Sequence, residues 1–376
     1  MATLTLIGEP FADHEAETHA EVARELTRAV ALAAPRGCSS RLLIAAERGV
    51  PTFDTARARV ERLPMRASAL PWLWRTGFTA RPLDGEFVHA LTPLVPLRSR
   101  TEGGASQPRG AGPRAPGGLA PELMGSGPAR QYRSFVKRAI RHADVVVTPT
   151  HATAEALQDR FGEMVVQVLP LAAPSGYLRP DDDEERRAAL GLPARYLATT
   201  AVPGEIGRLE WLFSALEGDD ELPPLVIIAG SRSAIDSELS NQEAPKSDPE
   251  PTHRIPAALR DRVHVVRPRE VADIGTVLSG AELLVLPQQQ IGAGYEVLGA
   301  LASAVPVVHG GCAAVAELAL DAGVAADTPG QLAGELTRLT QDGAELARLR
   351  VLAEDRSRSF NWHLTASMLW ELHANI

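Results

Sequence analysis

Short aliphatic runs without internal polar alternation punctuate this chain from end to end, and they restrict it to a narrow class of folds. In the first half they fall at residues 3–7, 41–46, 87–91, 144–148 and 165–169. In the second half they fall at 196–201, 225–230, 262–266, 283–287 and 306–309. Runs of four to six apolar residues suit strands buried on both faces, hence a parallel sheet covered by helices. The segments between them carry helical periodicity. From His19 to Ala33, one face collects Val22, Leu26, Ala29, Val30 and Ala33, and Thr150 is placed to cap a helix through Ala154, Leu157 and Phe161. Strand and helix alternate throughout, which makes the chain α/β. At 376 residues it is too long for one ordinary domain and suits two doubly wound sheets. Apolar residues make up 45% and aromatics only 5%, so aliphatic side chains must do most of the packing.

The chain is expected to pass from one sheet to the other between residues 172 and 193. Ala173-Pro-Ser-Gly176 is a turn-rich exit from a strand, and Asp181-Asp-Asp-Glu-Glu-Arg-Arg187 reads as a charged helix start. Carboxylates there complement the helix dipole, a simpler reading than a metal site. Residues 99–129 hold many glycines and prolines and no periodicity, and read as a mobile loop. Residues 237–254 read as a polar surface insertion.

Several function classes are disfavoured. A net charge of -9 offers no basic surface for nucleic acid. No apolar run approaches the ~20 residues that span a bilayer. The N-terminal residues lack the basic start of a signal peptide, so a cytoplasmic location is expected. Cys38 and Cys312 are too few for a disulfide framework and read as small buried hydrophobes. His14, Glu15 and His19 read as a solvated helical face rather than metal ligands, and no metal or other cofactor is expected. Ser231-Arg-Ser233 lacks the Gly-Lys ending of a phosphate loop, and no nucleophile elbow is present.

Four segments carry a resemblance. These are Arg141-His-Ala-Asp-Val-Val-Val-Thr-Pro-Thr-His-Ala152 followed by Val168-Leu-Pro-Leu171; Arg186-Arg-Ala-Ala-Leu-Gly-Leu-Pro193 with Tyr196-Leu-Ala-Thr-Thr-Ala201; Val305-Pro-Val-Val-His309 with Glu317-Leu318 and Asp321-Ala-Gly323; and Phe360-Asn-Trp362. Their order and spacing resemble glycosyltransferase family 4 over roughly residues 85–376. The resemblance implies a GT-B architecture of two Rossmann-like parallel-sheet domains facing across a cleft. It implies an acceptor-side domain at 1–172, a donor-type domain at 173–360, and a final helix at 361–376 that packs back on the first, with Trp362 and Trp370 as anchors. Members of the family use an Arg and a Lys on the donor pyrophosphate, two glutamates spaced E-x7-E on its hydroxyls, and a His-Asp pair near the acceptor.

Laid on those patterns, this chain departs at every charged position. The cation positions fall on Ile206 and Gly207, and the two glutamate positions on Ile291 and Gly299, while Gly204, Gly292 and Gly294 remain. Between Leu97 and Arg130 there is neither His nor Asp. Arg208, Arg232 and Glu296 are the nearby residues from which an atypical donor site could be rebuilt. No residue is assigned as catalytic. The leading expectation is a non-catalytic partner of an active glycosyltransferase, or a subunit that binds a nucleotide-diphosphate sugar weakly; the alternative is an active transferase with that rebuilt site. For a partner surface, Trp72 and Trp74 in Leu70-Pro-Trp-Leu-Trp-Arg75 are the candidates, whichever of them is exposed.

Overall fold

The computed structural model describes residues 2–9, 16–76, 87–95, 126–202, 205–229 and 255–375, with side chains from residue 130 in the helix that opens at Ser126. The chain separates into two compact units, Met1–Ala172 with Phe360–Ile376, and Ala173–Ser359.

In the first unit, β1 (Thr3–Ile7), β2 (Ser39–Ile44), β3 (Ala58–Arg62) and β4 (Phe87–Ala90) form a parallel sheet in the order β3-β2-β1-β4. β1 lies at its centre, pairing Leu6 with Leu42 on one side and with His89 on the other. β5 (Val146–Thr148) and β6 (Val166–Val168) form a separate parallel pair. The expected runs at 3–7, 87–91, 144–148 and 165–169 each contain one of these strands, and the run at 41–46 overlaps β2, which starts two residues earlier. β3 was not among them. Its sequence Ala-Arg-Val-Glu-Arg alternates polar residues, as an edge strand with one wetted face does.

Thr150 caps the helix His151–Phe161, its hydroxyl accepting from the Thr153 amide at 3.1 Å. The helix Ala16–Leu32 buries Ala23, Leu26 and Val30 against β1 and β2. The expectation of a solvated His19 is wrong. His19 stands at i−3 from Val22 and i−7 from Leu26, on the buried stripe, and is fully enclosed. His14 and Glu15 lie outside the described residues, as does the proposed insertion at 237–254. The mobile loop expected at 99–129 is helical at its C-terminal end. The helix Ser126–His142 takes in the last four residues of that stretch, and 99–125 lie outside the described residues. Cys312 is buried, but Cys38 is only half-buried.

The last helix, Trp362–Asn375, packs on the helix Ala16–Leu32. Trp370 donates its indole N–H to the Val30 carbonyl at 2.9 Å, and Trp362 donates to Glu25 Oε2 at 2.8 Å. Both are amphipathic anchors whose polar edge finds a partner. Of the other tryptophan pair, Trp74 is 3% exposed in the core with Leu70 and Leu73, while Trp72 is 59% exposed.

The second unit holds a six-stranded parallel sheet: β7 (Leu197–Thr200), β8 (Leu225–Ile228), β9 (Val263–Val266), β10 (Leu283–Leu286), β11 (Val307–His309) and β12 (Gly323–Ala325). The order is β12-β11-β10-β7-β8-β9. Counted within this unit, that is the 3-2-1-4-5-6 order of a doubly wound dinucleotide-type fold. β12, a short exposed edge, was the strand that apolar patterning missed here. The acidic run at 181–187 opens the helix Asp183–Leu190 and is spent on ion pairs: Asp182 with Arg186, and buried Asp183 with Arg179 and Arg187. Gly191, at φ 64, closes that helix in the left-handed region that favours glycine.

Candidate functional site

In a doubly wound sheet the strand order reverses once, and the crevice beyond the carboxyl ends of the strands at that point is where ligands sit. Here the reversal falls between β7 and β10. Three segments meet at this edge: Glu205 to Arg208 after β7, Pro287 to Gly294 after β10, and Gly310-Gly311 after β11.

Backbone and side-chain bonds tie them together. The Gln289 amide donates to the Ile206 carbonyl at 3.3 Å. Arg208 donates from Nη1 to the Gly310 carbonyl at 3.0 Å, and its guanidinium carbon lies 4.5 Å from the Trp211 ring centre. Arg208 is half-buried and occupies the left-handed region, φ 50 and ψ 33, as the cap of the helix Leu209–Gly218. Arg208 is therefore no solvated helix-start residue. It braces the β7 and β11 loops, and its cation faces a ring. A side chain at Gly310 would press a β-carbon to 2.3 Å from the Pro287 carbonyl oxygen, which is why a glycine permits this close approach.

The positions that aligned with the family's cations carry no charge and are not open: Ile206 is half-buried and Gly207 buried. Ile291 and Gly292 are half-buried on the β10 loop. Gly294, at φ 78, caps the helix Tyr295–Ala302, and Glu296, half-buried, lies in that helix's first turn. Gly299 sits further along the same helix and faces inward. A β-carbon there would lie 2.7 Å from the Tyr177 carbonyl oxygen and 3.0 Å from Leu278 Cδ1. The short turn Ser175–Tyr177 thus fills the space a longer side chain would need. The structure brings Ile206, Arg208, Gly292, Gly294 and Glu296 to one edge. Gly204 and Arg232 lie outside the described residues.

Residues that motif reasoning missed also gather here. Gln288 is 2% exposed and donates from Nε2 to Thr200 Oγ1 at 3.3 Å, leaving Oε1 without a partner. Gln290 Oε1 and His309 Nδ1 are likewise buried and unpartnered. Burial holds the His309 imidazole below its usual pKa, with Asp327 opposing in part, so the ring is neutral near pH 7. The sequence signal was the uncharged run Gln288-Gln289-Gln290 directly after an apolar strand. The lining can therefore hydrogen-bond uncharged groups, but the aligned positions offer no cation to a pyrophosphate.

In the first unit, the carboxyl edge of β1 and β2 borders a cavity of about 400 Å³, lined by Gly8, Leu42, Ile44, Arg24 and Arg48. Behind it Glu9 is fully buried, accepts from the Ala45 amide and pairs with Arg48 at 3.4 Å. Burial raises its carboxyl pKa, with the Ala45 and Arg48 contacts opposing. Glu9 thus stands two residues past the end of β1, tied to the chain that leaves β2.

Parallel sheets in both units, the six-stranded one in dinucleotide-type order, match solved structures along the whole chain. The fold is that of the GT-B glycosyltransferases. Sucrose-phosphate synthase from Thermosynechococcus elongatus aligns with a TM-score of 0.67 at 17% identity, over 100% of this chain and 99% of that one. WaaG, a glycosyltransferase involved in lipopolysaccharide biosynthesis, aligns at TM-score 0.61 and 15% identity over 100% of both chains. Anabaena HepE, solved in complex with UDP-glucose, aligns at 0.63 and 14% over 100% of both. Residues 225–342, less than half of the chain, match the family described as group 1 glycosyl transferases. No curated protein sequence matches the chain. Among the described residues, no helix is long and apolar enough to cross a membrane.

Proposed function

We propose that this chain is a glycosyltransferase family 4 homologue of a sugar-transfer pathway whose donor site no longer supports transfer, and that it serves as a non-catalytic partner of an active glycosyltransferase. The observation that carries this reading is the closure at Gly299. At the second position of the lost glutamate pair the Tyr177 backbone occupies the space of a side chain. Arg208, which directly follows the lost cation positions Ile206 and Gly207, is already committed to Gly310 and Trp211.

The energetic consequence is large enough to decide function. Charge-assisted hydrogen bonds contribute about 1.5–3 kcal/mol each, so losing two weakens diphosphate binding by about two to four orders of magnitude. The same groups are those that would stabilise charge on the departing nucleotide. HepE was solved with UDP-glucose; by this reading the corresponding edge here binds such a donor only weakly. Trp72 is the residue proposed for the partner surface, since a large exposed aromatic suits a binding hot spot. The test is co-purification of the tagged chain from its native host. An active glycosyltransferase should be retained by the natural protein and released by Trp72→Ala, and the purified chain alone should transfer no sugar. Turnover by the chain alone would overturn the reading.

A further inference from the structure

Buried polar atoms without partners are uncommon in folded proteins, and each one asks for an explanation. Among the described residues at the carboxyl edge of the second sheet there are three: Gln288 Oε1 and His309 Nδ1 on one face, and Gln290 Oε1 two residues further along the β10 loop. The ladder registers show why. Leu286 of β10 stands opposite His309 of β11, and Ala198 of β7 opposite Leu284 of β10. Extending the second register two residues puts Thr200 beside Leu286. Thr200, Leu286 and His309 therefore form a row across β7, β10 and β11 on one face of the sheet. Gln288, two residues past Leu286, continues that face, as its bond to Thr200 Oγ1 confirms. Thr199 Oγ1 is also unpartnered, but it points to the opposite face and is no part of this group.

We propose that this edge binds an uncharged, hydroxyl-rich sugar bearing no phosphate, held by Gln288, Gln290 and His309. The proposal rests on the reading above, that a donor-type site has lost its diphosphate contacts, and it names what the site takes instead. The chemistry of the three groups selects the ligand. An amide can turn either way about its last bond. If Gln288 turns, its oxygen accepts from Thr200 and the nitrogen becomes the unpaired atom. A hydroxyl both donates and accepts, so it satisfies the amide in either orientation. A phosphate oxygen only accepts. The neutral imidazole of His309 likewise presents one donor and one acceptor. Anion binding here would need a cation, and Arg208 is held by Gly310 and Trp211. Gln289 is exposed and Gln290 half-buried, so the edge reaches solvent beside the buried Gln288.

The experiment is thermal denaturation of the full chain with glucose, mannose, galactose and N-acetylglucosamine, set against UDP and inorganic phosphate. At least one uncharged sugar should raise the Tm with a saturating dose dependence, and UDP and phosphate should not. Gln288→Leu removes a buried, unpartnered amide oxygen but also the bond to Thr200, so it should change the Tm of the free protein little, and it should abolish the sugar-dependent shift. Gln290→Leu, at a half-buried position, gives the same loss of shift if Gln288→Leu proves poorly folded. The proposal is overturned if none of the four sugars shifts the Tm, if both leucine variants keep the shift, or if UDP shifts it more than any sugar. These outcomes are separate from the function reading. Sugar transfer by the natural chain would end the non-catalytic claim, while the leucine variants would still decide whether hydroxyls are held here.

Discussion

Two glycines in helices of the second unit should respond oppositely to the same substitution. Gly334 lies exposed in the helix Pro329–Gln341, and a β-carbon added there meets nothing within 4 Å. Ala is favoured over Gly in a helix interior by about 0.8–1.0 kcal/mol, so Gly334→Ala should stabilise the chain by about that much. Gly299 has the same propensity term, but its β-carbon would lie 2.7 Å from the Tyr177 carbonyl oxygen. The obstacle is backbone, which yields less readily than the tip of a flexible side chain. Overpacking of this kind costs about 1–3 kcal/mol, enough to reverse the helix gain, so Gly299→Ala should be destabilising. Gly299→Glu, which restores the family's residue, should cost more still, since it adds a carboxylate to a buried position. Urea denaturation followed by circular dichroism measures all three on one scale. If Gly299→Ala is as stable as the natural protein or more so, the turn Ser175–Tyr177 does not close this position, and the structural argument for a lost donor site fails.

Further expectations concern acid stability, the tryptophans and the lost cations. His89, on β4 with its ring 6.0 Å from that of His373, has its pKa pushed down to about 4 by burial alone. The unfolded chain therefore binds this proton first as pH falls. His89 contributes stability that is intact above its ordinary value near 6.5 and is lost between there and about 4, at about 1.4 kcal/mol per pH unit. Glu9, whose pKa is raised by burial, tilts stability the other way as pH rises past the ordinary carboxylate range, so the comparison to make is natural protein against His89→Phe, whose acid limb should be shallower in pH-dependent melting. A variant with an unchanged acid limb would exclude His89 as its source. Trp74→Ala should destabilise by about 3–5 kcal/mol, as for other buried aromatics, and Trp72→Ala by less than about 0.5 kcal/mol; equal losses in denaturant would contradict their placement. Ile206→Arg should tighten UDP binding by about ten- to a hundred-fold by calorimetry without creating turnover, the yield of one charge-assisted contact. Unchanged affinity would mean that position does not face the nucleotide.

Which of these features the sequence disclosed depended on burial. β1, β7, β8 and β10 were legible because both faces of each are covered, leaving unbroken apolar runs. β3 and β12 escaped because edge strands keep polar residues on a wetted face. His19 was misread because three- and four-residue spacing placed it on a stripe whose burial only the sheet beneath it reveals. At the site, Ile206, Gly207, Ile291 and Gly299 were found because a charged pattern was expected at those positions and was missing. Gln288 and Gln290 matched no pattern, and His309 entered only as the end of a matched strand with no role, since uncharged amides and a neutral imidazole become informative only once their partners can be counted. Arg208 shows a third case. Its position was legible, but its left-handed backbone and its bond to Gly310, over a hundred residues away, were not.

The account turns on whether the second unit still binds a nucleoside-diphosphate sugar. Isothermal titration of the purified chain with UDP-glucose, and in parallel with GDP- and ADP-sugars, answers this most directly. With Ile206 and Gly207 in place of two cations, each should bind weakly, with a Kd no tighter than about 100 μM, as expected when micromolar affinity loses two charged contacts. Binding at or below 1 μM by any one of them, with release of free nucleoside diphosphate in the presence of an acceptor, would contradict it.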